Sequence, residues 1–386
     1  MRRSLALLLV ALVLVLACAL QATAAPPPAV AGKAVLVADG RTGDVLYERD
    51  ADRRLPMASI TKLMTALVVL DRARPGELVT VRGAAPGVGG STIFLSPGDR
   101  IPVRDLLAAA LIQSANDAAY ALAAHVGKGS VSRFVRLMNA KAEELELKDS
   151  RYARPDGLDA PGHYSSAWDS FRLARLAMRQ PLVRRLVRMR TARIAGGRSL
   201  HTWNDLLATF PGLIGVKTGH TDLAGWSQVA AARRDGTPLY AVILGSPSRA
   251  RRNADLAALL DWGFDRYGRV ELVKDGERYA TAAIPFSEER IQLVAAGGAD
   301  TVVRLDEGVR FVERVVAPAM VELPVEEGQR LGEVVILEGD RVVARRPLVA
   351  ARAVPEPGFG ERAGWYAGRA LDEAGDMLAT VLPGLG

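Results

Sequence analysis

Short runs of alternating hydrophobic and polar residues occur near the start of the chain and again after its midpoint. Residues 34–38 and 45–48 are β-prone and flank a glycine-containing turn, which predicts a hairpin. Residues 227–232 and 239–244 flank an Arg-Asp-Gly turn and predict a second hairpin. The apolar run 213–216 predicts a strand that leads into a lysine.

Between these strands, hydrophobic residues recur at helical spacing. Residues 59–71, 103–126 and 131–145 each have this pattern. In the last segment, one face carries Phe134, Leu137, Met138, Ala142 and Leu145. Strands at both ends with helices between them predict an α+β fold, in which one antiparallel sheet is flanked by helices.

The composition changes after Phe264. Short β-prone runs such as 301–303 and 334–337 follow, separated by turns that contain Gly and Asp, and they predict a small all-β domain. A Pro-Glu-Pro-Gly linker then leads to a helical pattern at 362–382. The predicted segments are 1–25, 26–268 for the α+β domain, 269–354 for the all-β domain and 355–386 for the linker and tail.

The first 25 residues have the pattern of a secretory signal peptide. Arg2 and Arg3 precede an uncharged apolar run at 5–20, and Ala22-Thr23-Ala24 is a small-residue cleavage site. We therefore expect an exported protein, in the periplasm or on the extracytoplasmic face of the cell membrane. The alternative is an uncleaved anchor, because the run approaches the length that spans a membrane.

Cys18, the only cysteine of the 386 residues, lies inside this apolar run. It is either removed with the signal peptide or retained as the lipid-bearing residue of a degenerate lipoprotein signal. Loss of Arg2 and Arg3 lowers the net charge from +7 to +5. The densest basic stretch, 184–198, is typical of a solvated helix face. The mature chain has no basic patch interleaved with aromatic residues, which argues against nucleic-acid binding.

A serine and a lysine lie three positions apart in Ser59-Ile60-Thr61-Lys62, so both face one side of the predicted helix. A serine hydroxyl is a weak nucleophile until a nearby base takes its proton. Lys62 can be that base if burial and the charge of Lys217 lower its pKa. Backbone N–H groups at the helix start would stabilise an oxyanion. An ordinary capped helix gives the same four residues, so this motif alone does not decide.

Two further motifs follow in the chain. Ser114-Ala115-Asn116 ends an apolar run; Ser114 could relay a proton to a leaving group and Asn116 could hold a substrate amide. A helix break uses the same residue types.

Lys217-Thr218-Gly219 follows a predicted strand, whose extended edge would bind an extended peptide. Lys217 and Thr218 would meet a terminal carboxylate, Gly219 would allow close approach, and the His220 N–H could join that of Ser59 in an oxyanion hole. The remaining histidines are scattered, so we expect neither a metal nor a cofactor.

Together, in this order, the three motifs resemble the active-site elements of penicillin-recognising serine enzymes. Ser114 follows Ser59 by 55 residues and Lys217 follows Ser114 by 103. Residues 32–265 as a whole resemble the low-molecular-mass penicillin-binding proteins, the serine D-Ala-D-Ala carboxypeptidases of peptidase family S11. The similar stretches are 39–47, 57–65, 114–119, 134–139, 206–207, 215–221 and 259–264.

This resemblance implies a β-lactamase/transpeptidase-like fold and an enzyme that removes terminal D-alanine from pentapeptide stems of peptidoglycan. It implies an acyl-enzyme that β-lactams also form. The implied catalytic residues are Ser59, Lys62 and Ser114, and the implied substrate-binding residues are Asn116, Lys217, Thr218, Gly219, His220 and Arg252. Arg251 is a near rival for the role of Arg252. Residues 325–332 resemble the small β-domain that follows the catalytic domain in these enzymes.

Two other functions remain open from the sequence. A class A β-lactamase shares the motifs but needs a deacylating glutamate, and Glu143, Glu144 and Glu146 lack the expected pattern. A catalytically silent wall-binding protein is the other alternative. Members of the family often end in a membrane-bound amphipathic helix. Here residues 361–386 carry two arginines against four acidic residues, so the sequence leaves peripheral membrane contact through the tail undecided.

Overall fold

The computed structural model describes residues 9–16, 25–83 and 85–381, which form two compact units. One unit contains residues 25–266, and the other contains the strand Leu9–Leu16 and residues 267–381. The first unit ends two residues before the predicted boundary at 268. The predicted fold class, a helix-flanked antiparallel sheet followed by a β-rich part, is confirmed.

The first unit is organised around a five-stranded antiparallel sheet. Its strands lie in the order Val45–Arg49, Ala34–Asp39, Thr237–Ser246, Gly225–Arg234 and Leu213–Thr221. Both predicted hairpins are present, with Val37 opposite Tyr47 in one and Ala241 opposite Ala230 in the other. The strand Leu213–Thr221, which carries the third motif, is therefore at an edge of the sheet.

Both faces of this sheet are covered by helices. Adjacent residues of a strand point to opposite faces, and Leu239 and Tyr240 of the central strand show what each face meets. The Leu239 side chain lies against Gly263 of the helix Arg249–Phe264. The Tyr240 ring packs edge-on against Phe171 of the helix Ala167–Ala177, with centroids 5.5 Å apart. Every residue of Thr237–Ser246 is consequently buried.

The helices between the strands form a second layer around the helix Lys62–Leu70, whose first eight residues are buried. The others between the strands are Val103–Ala108, Asn116–Val126, Val131–Glu144, Ala167–Ala177, Pro181–Leu186 and Leu206–Thr209, whereas Arg249–Phe264 covers the opposite face of the sheet. Single 3-10 turns occur at Ala58–Thr61, Ala85–Gly87 and Ala195–Gly197, and short strand pairs at Leu78–Thr80 with Arg100–Pro102 and Thr191–Arg193 with Ser199–His201.

The helical pattern at 103–126 forms two helices, separated by the break that the residue types of the second motif also allow. An α-helix at Val103–Ala108 widens into a π-helical turn at Ala109–Gln113 and stops at Ser114, whose φ is 64°. Ala115 is extended, and a new helix begins at Asn116. A non-glycine residue with positive φ cannot continue a right-handed helix, so the helix ends at the second motif.

The second unit is built on a six-stranded antiparallel sheet with its own apolar core, in which Ile291, Leu293, Val334 and Leu348 are fully buried. The strand order is Leu9–Leu16, Phe311–Pro318, Arg330–Glu338, Arg341–Ala350, Arg290–Ala295 and Arg278–Ala283, and Tyr267–Val273 pairs separately with Ala299–Arg304. The strand Leu9–Leu16 is at an edge and falls within the predicted signal peptide. The predicted cleavage site and Cys18 lie outside the described residues.

The tail forms a helix at Phe359–Val381. Its Trp365 and Tyr366 rings each pack edge-on against Phe286 of the same unit at 5.8 Å, whereas Leu371 is 74% exposed. Contact of this helix with a membrane stays a prediction. None of the helices in the described part of the chain is long and apolar enough to cross a bilayer.

The core of the first unit can be tested with a matched pair of leucines. Leu122 is fully buried in it, and Leu223 is 66% exposed. We expect Leu122→Ala to lower the free energy of unfolding by about 2–5 kcal/mol, because it leaves a cavity. Leu223→Ala should change it by less than about 0.5 kcal/mol. Urea unfolding followed by tryptophan fluorescence measures both, and equal losses would contradict the described core.

Candidate active site

The first motif lies where a 3-10 turn, Ala58–Thr61, passes directly into the helix Lys62–Leu70. This geometry places the Lys62 Nζ 2.8 Å from the Ser59 Oγ. The lysine side chain is fully buried, while Ser59 borders a cavity. The sequence predicted that both side chains share one helix face, and they are in hydrogen-bond contact.

The Lys62 amine has two more acceptors. Its Nζ is 2.6 Å from the Asn116 Oδ1 and 2.6 Å from the main-chain oxygen of Asp156. Burial lowers the pKa of Lys62 to about 7, and the charge of Arg154 adds to this, against the opposing effects of Asp156 and Asp117. The sequence predicts burial and the charge of Lys217 as the causes; burial is the largest cause here, and the lowering charge is that of Arg154.

The second lysine contacts the second serine. The Lys217 Nζ donates to the Ser114 Oγ at 2.9 Å and to the Thr218 main-chain oxygen at 2.8 Å. Burial holds the pKa of Lys217 well below its usual value, and the charges of Lys62 and Arg252 lower it further. The left-handed conformation of Ser114 matters here, because it turns the hydroxyl away from the preceding helix and toward the edge strand.

Asn116, which the sequence predicts to hold a substrate amide, also makes hydrogen bonds within the protein. Its carbonyl oxygen accepts from Lys62, and its Nδ2 donates to the Gly89 oxygen at 2.7 Å. The main chain of Asn116 is also held, since its N–H donates to the Ser91 oxygen at 2.7 Å. Asn116 therefore orients Lys62, and one amide hydrogen is left for a substrate.

The edge strand passes close to the nucleophile. A Cβ built on Gly219 would lie 3.0 Å from the Ser59 nitrogen and 2.9 Å from the Met57 oxygen, so only glycine fits. The next residue, His220, is exposed, and its ring stacks on Trp226 with centroids 4.0 Å apart. The strand thus brings Thr218, Gly219 and the His220 main chain alongside Ser59.

The structure separates the two candidate arginines. Arg252 is 1% exposed, lines the cavity, and is held by two hydrogen bonds from its guanidinium to the Asn253 Oδ1. Burial lowers its pKa to about 10. Arg251 instead pairs with Asp255 at 2.7 Å and is not among the residues that line the cavity.

These groups surround one cavity of about 310 Å³ within the first unit. Its lining residues are Ser59, Gly90, Ser91, Ser114, Asn116, Leu158, Trp203, Thr218, Gly219, His220, Trp226, Arg249 and Arg252. In the part of the chain that the structure describes, no three His, Cys, Asp or Glu side chains are grouped to hold a metal ion. The site has two serine–lysine pairs, one buried guanidinium and no carboxylate in its wall.

Sequence reasoning missed part of this site. Trp203 and Leu158 form apolar wall, and Arg249 lines the cavity while bound by both its Nε and Nη2 to Asp205. The main-chain oxygen of Asp156 holds Lys62. A carbonyl group carries no residue-type signal, and the wall residues lie far from the motifs in sequence, so no local pattern identified them.

Comparison with known proteins gives the family that the sequence motifs resemble. The family model described as D-alanyl-D-alanine carboxypeptidase, peptidase S11, matches residues 21–248. The D-alanyl-D-alanine carboxypeptidase DacF of Bacillus subtilis is 30% identical over 85% of this chain and 87% of its own. DacD of Escherichia coli is 34% identical over 86% of this chain and 88% of its own.

Solved structures also match. The penicillin-binding protein 5 structure from Haemophilus influenzae is 26% identical, with a TM-score of 0.62 over 86% of this chain and all of the other. The Streptomyces K15 DD-transpeptidase structure is 32% identical, with a TM-score of 0.59 over 62% of this chain and all of the other. The chain therefore belongs to the peptidase S11 family and is a serine-type D-Ala-D-Ala carboxypeptidase.

Proposed function

We propose that this protein is exported and removes the terminal D-alanine from peptidoglycan pentapeptide stems through an acyl-enzyme on Ser59, and that β-lactams acylate the same hydroxyl. The observation that carries this proposal is the 2.8 Å contact between the Ser59 Oγ and a fully buried Lys62 amine. A buried amine with a pKa of about 7 is half neutral at physiological pH and is able to accept a proton.

The three partners of Lys62 give the neutral amine one useful orientation. A neutral amine has two N–H bonds and one lone pair. The Asn116 Oδ1 and the Asp156 oxygen are acceptors without a proton to give, so they take the two N–H bonds. The lone pair is then directed to Ser59, the one neighbour among these three that can donate. Lys62 takes the hydroxyl proton as the Ser59 Oγ attacks the carbonyl carbon of the penultimate D-alanine.

Ser114 and Lys217 would serve the leaving group. The departing D-alanine nitrogen needs a proton: the Ser114 hydroxyl can donate its own while it takes another from the Lys217 ammonium that donates to it, and a low pKa makes that ammonium a ready proton donor. The oxyanion of the tetrahedral intermediate would be stabilised by the N–H groups of Ser59 and His220. The close fit of Gly219 against the Ser59 nitrogen supports this pairing, because it brings the two main chains together.

The terminal carboxylate of the stem peptide would meet the hydroxyl of Thr218 and the guanidinium of Arg252. Both line the cavity: Thr218 belongs to the edge strand, and the Arg252 guanidinium lies 5.8 Å from the ring centroid of Trp226 on the neighbouring strand. The free edge of Leu213–Thr221 would pair with the extended peptide by main-chain hydrogen bonds. Such pairing places the terminal peptide bond across the opening of the cavity, at Ser59.

The β-lactamase alternative has little support from the described site. In a class A β-lactamase, rapid release of the penicilloyl group depends on a carboxylate that activates water. None of the residues that line the cavity is acidic. Glu143, Glu144 and Glu146 are exposed, and Glu146 pairs with Arg172. We therefore propose a long-lived adduct with β-lactams and not their rapid hydrolysis.

Export is compatible with the position of the strand Leu9–Leu16. This strand is bonded only to Phe311–Pro318 at one edge of its sheet. Removal of the predicted signal peptide takes away that edge and leaves the pairing of the other five strands unchanged. We propose that the mature chain begins after the Ala22-Thr23-Ala24 site.

The proposal is tested by intact-mass spectrometry of the signal-free protein with benzylpenicillin, alongside Ser59→Ala. We expect one persistent adduct on the wild type and none on the variant, because only Ser59 is activated by Lys62. Rapid loss of penicillin without an adduct would favour the β-lactamase. Neither adduct nor penicillin loss would favour the silent wall-binding protein.

The two adjacent arginines provide a matched test of carboxylate recognition. We expect Arg252→Leu to lower kcat/KM for a peptide ending in D-Ala-D-Ala by roughly 10- to 100-fold, since a charge-assisted hydrogen bond is lost. Arg251→Leu removes the same charge outside the cavity and should change kcat/KM by less than about twofold. Release of D-alanine measures both. Equal losses would show that Arg252 acts only through net charge.

A further inference from the structure

One loop encloses the turn that carries the nucleophile. We call residues 153–163 the clasp. Its main-chain oxygens bind the first helix, at Asp156 to the Lys62 Nζ and at Pro155 to the Thr65 Oγ1, both at 2.6 Å. Gly157 lies so close that a Cβ there would be 2.1 Å from the Ala58 oxygen. The position of Ser59 and Lys62 therefore depends on the shape of the clasp.

His163 closes this loop from the inside. Its side chain is buried, with the residue 6% exposed, and it does not line the cavity. Its Nδ1 accepts from the Ala153 N–H at 3.0 Å, which joins the two ends of the clasp. Its Nε2 is 3.0 Å from the Thr61 Oγ1, between the nucleophile and Lys62 in sequence. One imidazole thus connects the clasp to the first motif.

The donor and the acceptor of each hydrogen bond in this series are fixed. A main-chain N–H can only donate, so the Nδ1 that accepts from Ala153 carries no proton. In a neutral imidazole the proton is then on Nε2, which donates to the Thr61 Oγ1. The Thr61 hydroxyl uses its own hydrogen on the Ala58 oxygen, at 2.8 Å. The series of hydrogen bonds therefore runs from the Ala153 N–H through His163 and Thr61 to the Ala58 oxygen.

The last acceptor is a strained residue. Ala58 has a φ of 49°, in the left-handed region that side chains with a Cβ rarely adopt, and it directly precedes Ser59. A residue in this conformation is retained only when its surroundings hold it. The Thr61 hydroxyl holds the Ala58 oxygen. The series of hydrogen bonds therefore ends on the peptide unit whose N–H belongs to Ser59.

The surroundings of His163 keep it neutral. Burial is the largest influence and lowers its pKa to about 4. The charged groups that face it are Asp156 and Asp159, which raise the pKa, and Arg154 and Lys62, which lower it. The Tyr152 ring packs edge-on at 6.0 Å. At neutral pH the imidazole therefore has the one donor and one acceptor that the chain requires.

We propose that His163 is a positioning residue for acylation: through Thr61 it fixes the Ala58–Ser59 peptide, and with it the direction of the Ser59 N–H and hydroxyl. This role rests on the proposed function of Ser59 as nucleophile. It predicts an effect on the rate of acylation that is separate from any effect on stability or on the affinity of the first complex.

The test measures the rate constant of acylation by benzylpenicillin per folded site, together with the dissociation constant of the complex that precedes it. His163→Leu should slow acylation by roughly 10- to 100-fold at a nearly unchanged dissociation constant, because small misplacements of a reacting group are costly. His163→Gln keeps a donor and an acceptor and should recover most of the rate. Thr61→Val should resemble His163→Leu, and the double variant should be no slower than either.

The outcomes are distinguishable. Rates per folded site within twofold of the wild type in His163→Leu and Thr61→Val would overturn the proposal and leave His163 a purely structural role. If His163→Leu does not fold, Thr61→Val still decides, because it removes the same hydrogen bond from the other side. A wild type that is not acylated at all would instead remove the proposed function, and with it this role.

The donor and acceptor assignment of His163 can be tested without measuring catalysis. The protein has four histidines, so nitrogen-15 spectra of the histidine-labelled full chain are simple, and His163→Gln identifies the signal. We expect a neutral ring protonated on Nε2 at pH 7 that stays neutral as the pH falls to about 5, below the ordinary histidine pKa. A ring protonated on Nδ1 would reverse the donor and acceptor roles of the two nitrogens and overturn the proposal.

Discussion

The active site depends on one fully buried amine. Water normally stabilises the charged form of a lysine, and its removal from around Lys62 lowers the pKa into the physiological range. Burial alone would leave an unsatisfied polar group, which folded proteins avoid. Here three oxygens, from Ser59, Asn116 and Asp156, satisfy it. The site therefore has an amine that is neutral enough to act as a base and ordered enough to act in one direction.

Each oxygen comes from a different part of the first unit, so the fold of this unit brings the three together around Lys62. Ser59 precedes the buried helix, Asn116 begins a helix after the break at Ser114, and Asp156 belongs to the clasp. The sheet edge adds Lys217 opposite Ser114. The left-handed residues Ala58 and Ser114 lie at two of these junctions. At both junctions a strained residue takes the main chain from one element of the site to the next.

The sequence predicted much of this. The hairpins, the helix at 131–145 and the edge strand were accessible because alternating and helical hydrophobic patterns report burial directly. The motifs identified Ser59, Lys62, Ser114 and Lys217 because these residue types carry the chemistry. The apolar periodicity on both sides of Ser114 did not indicate the break there; only the Ser and Asn residue types allowed it.

Other features could not be predicted, for physical reasons. The path of the main chain alone brings the Asp156 carbonyl to Lys62. The role of His163 depends on Thr61, about a hundred residues away in sequence, and on the main-chain N–H of Ala153, so the sequence shows only one of several scattered histidines. The role of Asn116 toward Lys62 depends on the loop that contains Gly89. Such roles are tertiary, and residue type alone does not reveal them.

The central claim is that neutral Lys62 is the base, and the pH dependence of acylation tests it most directly. The acylation rate constant of the wild type should be measured with benzylpenicillin from pH 5 to 9, where the penicillin carboxylate stays ionised. If Lys62 must lose its proton, the rate rises with pH, is half-maximal near pH 7 and levels off above it. A rate that is the same at pH 5 and pH 8 would contradict the account.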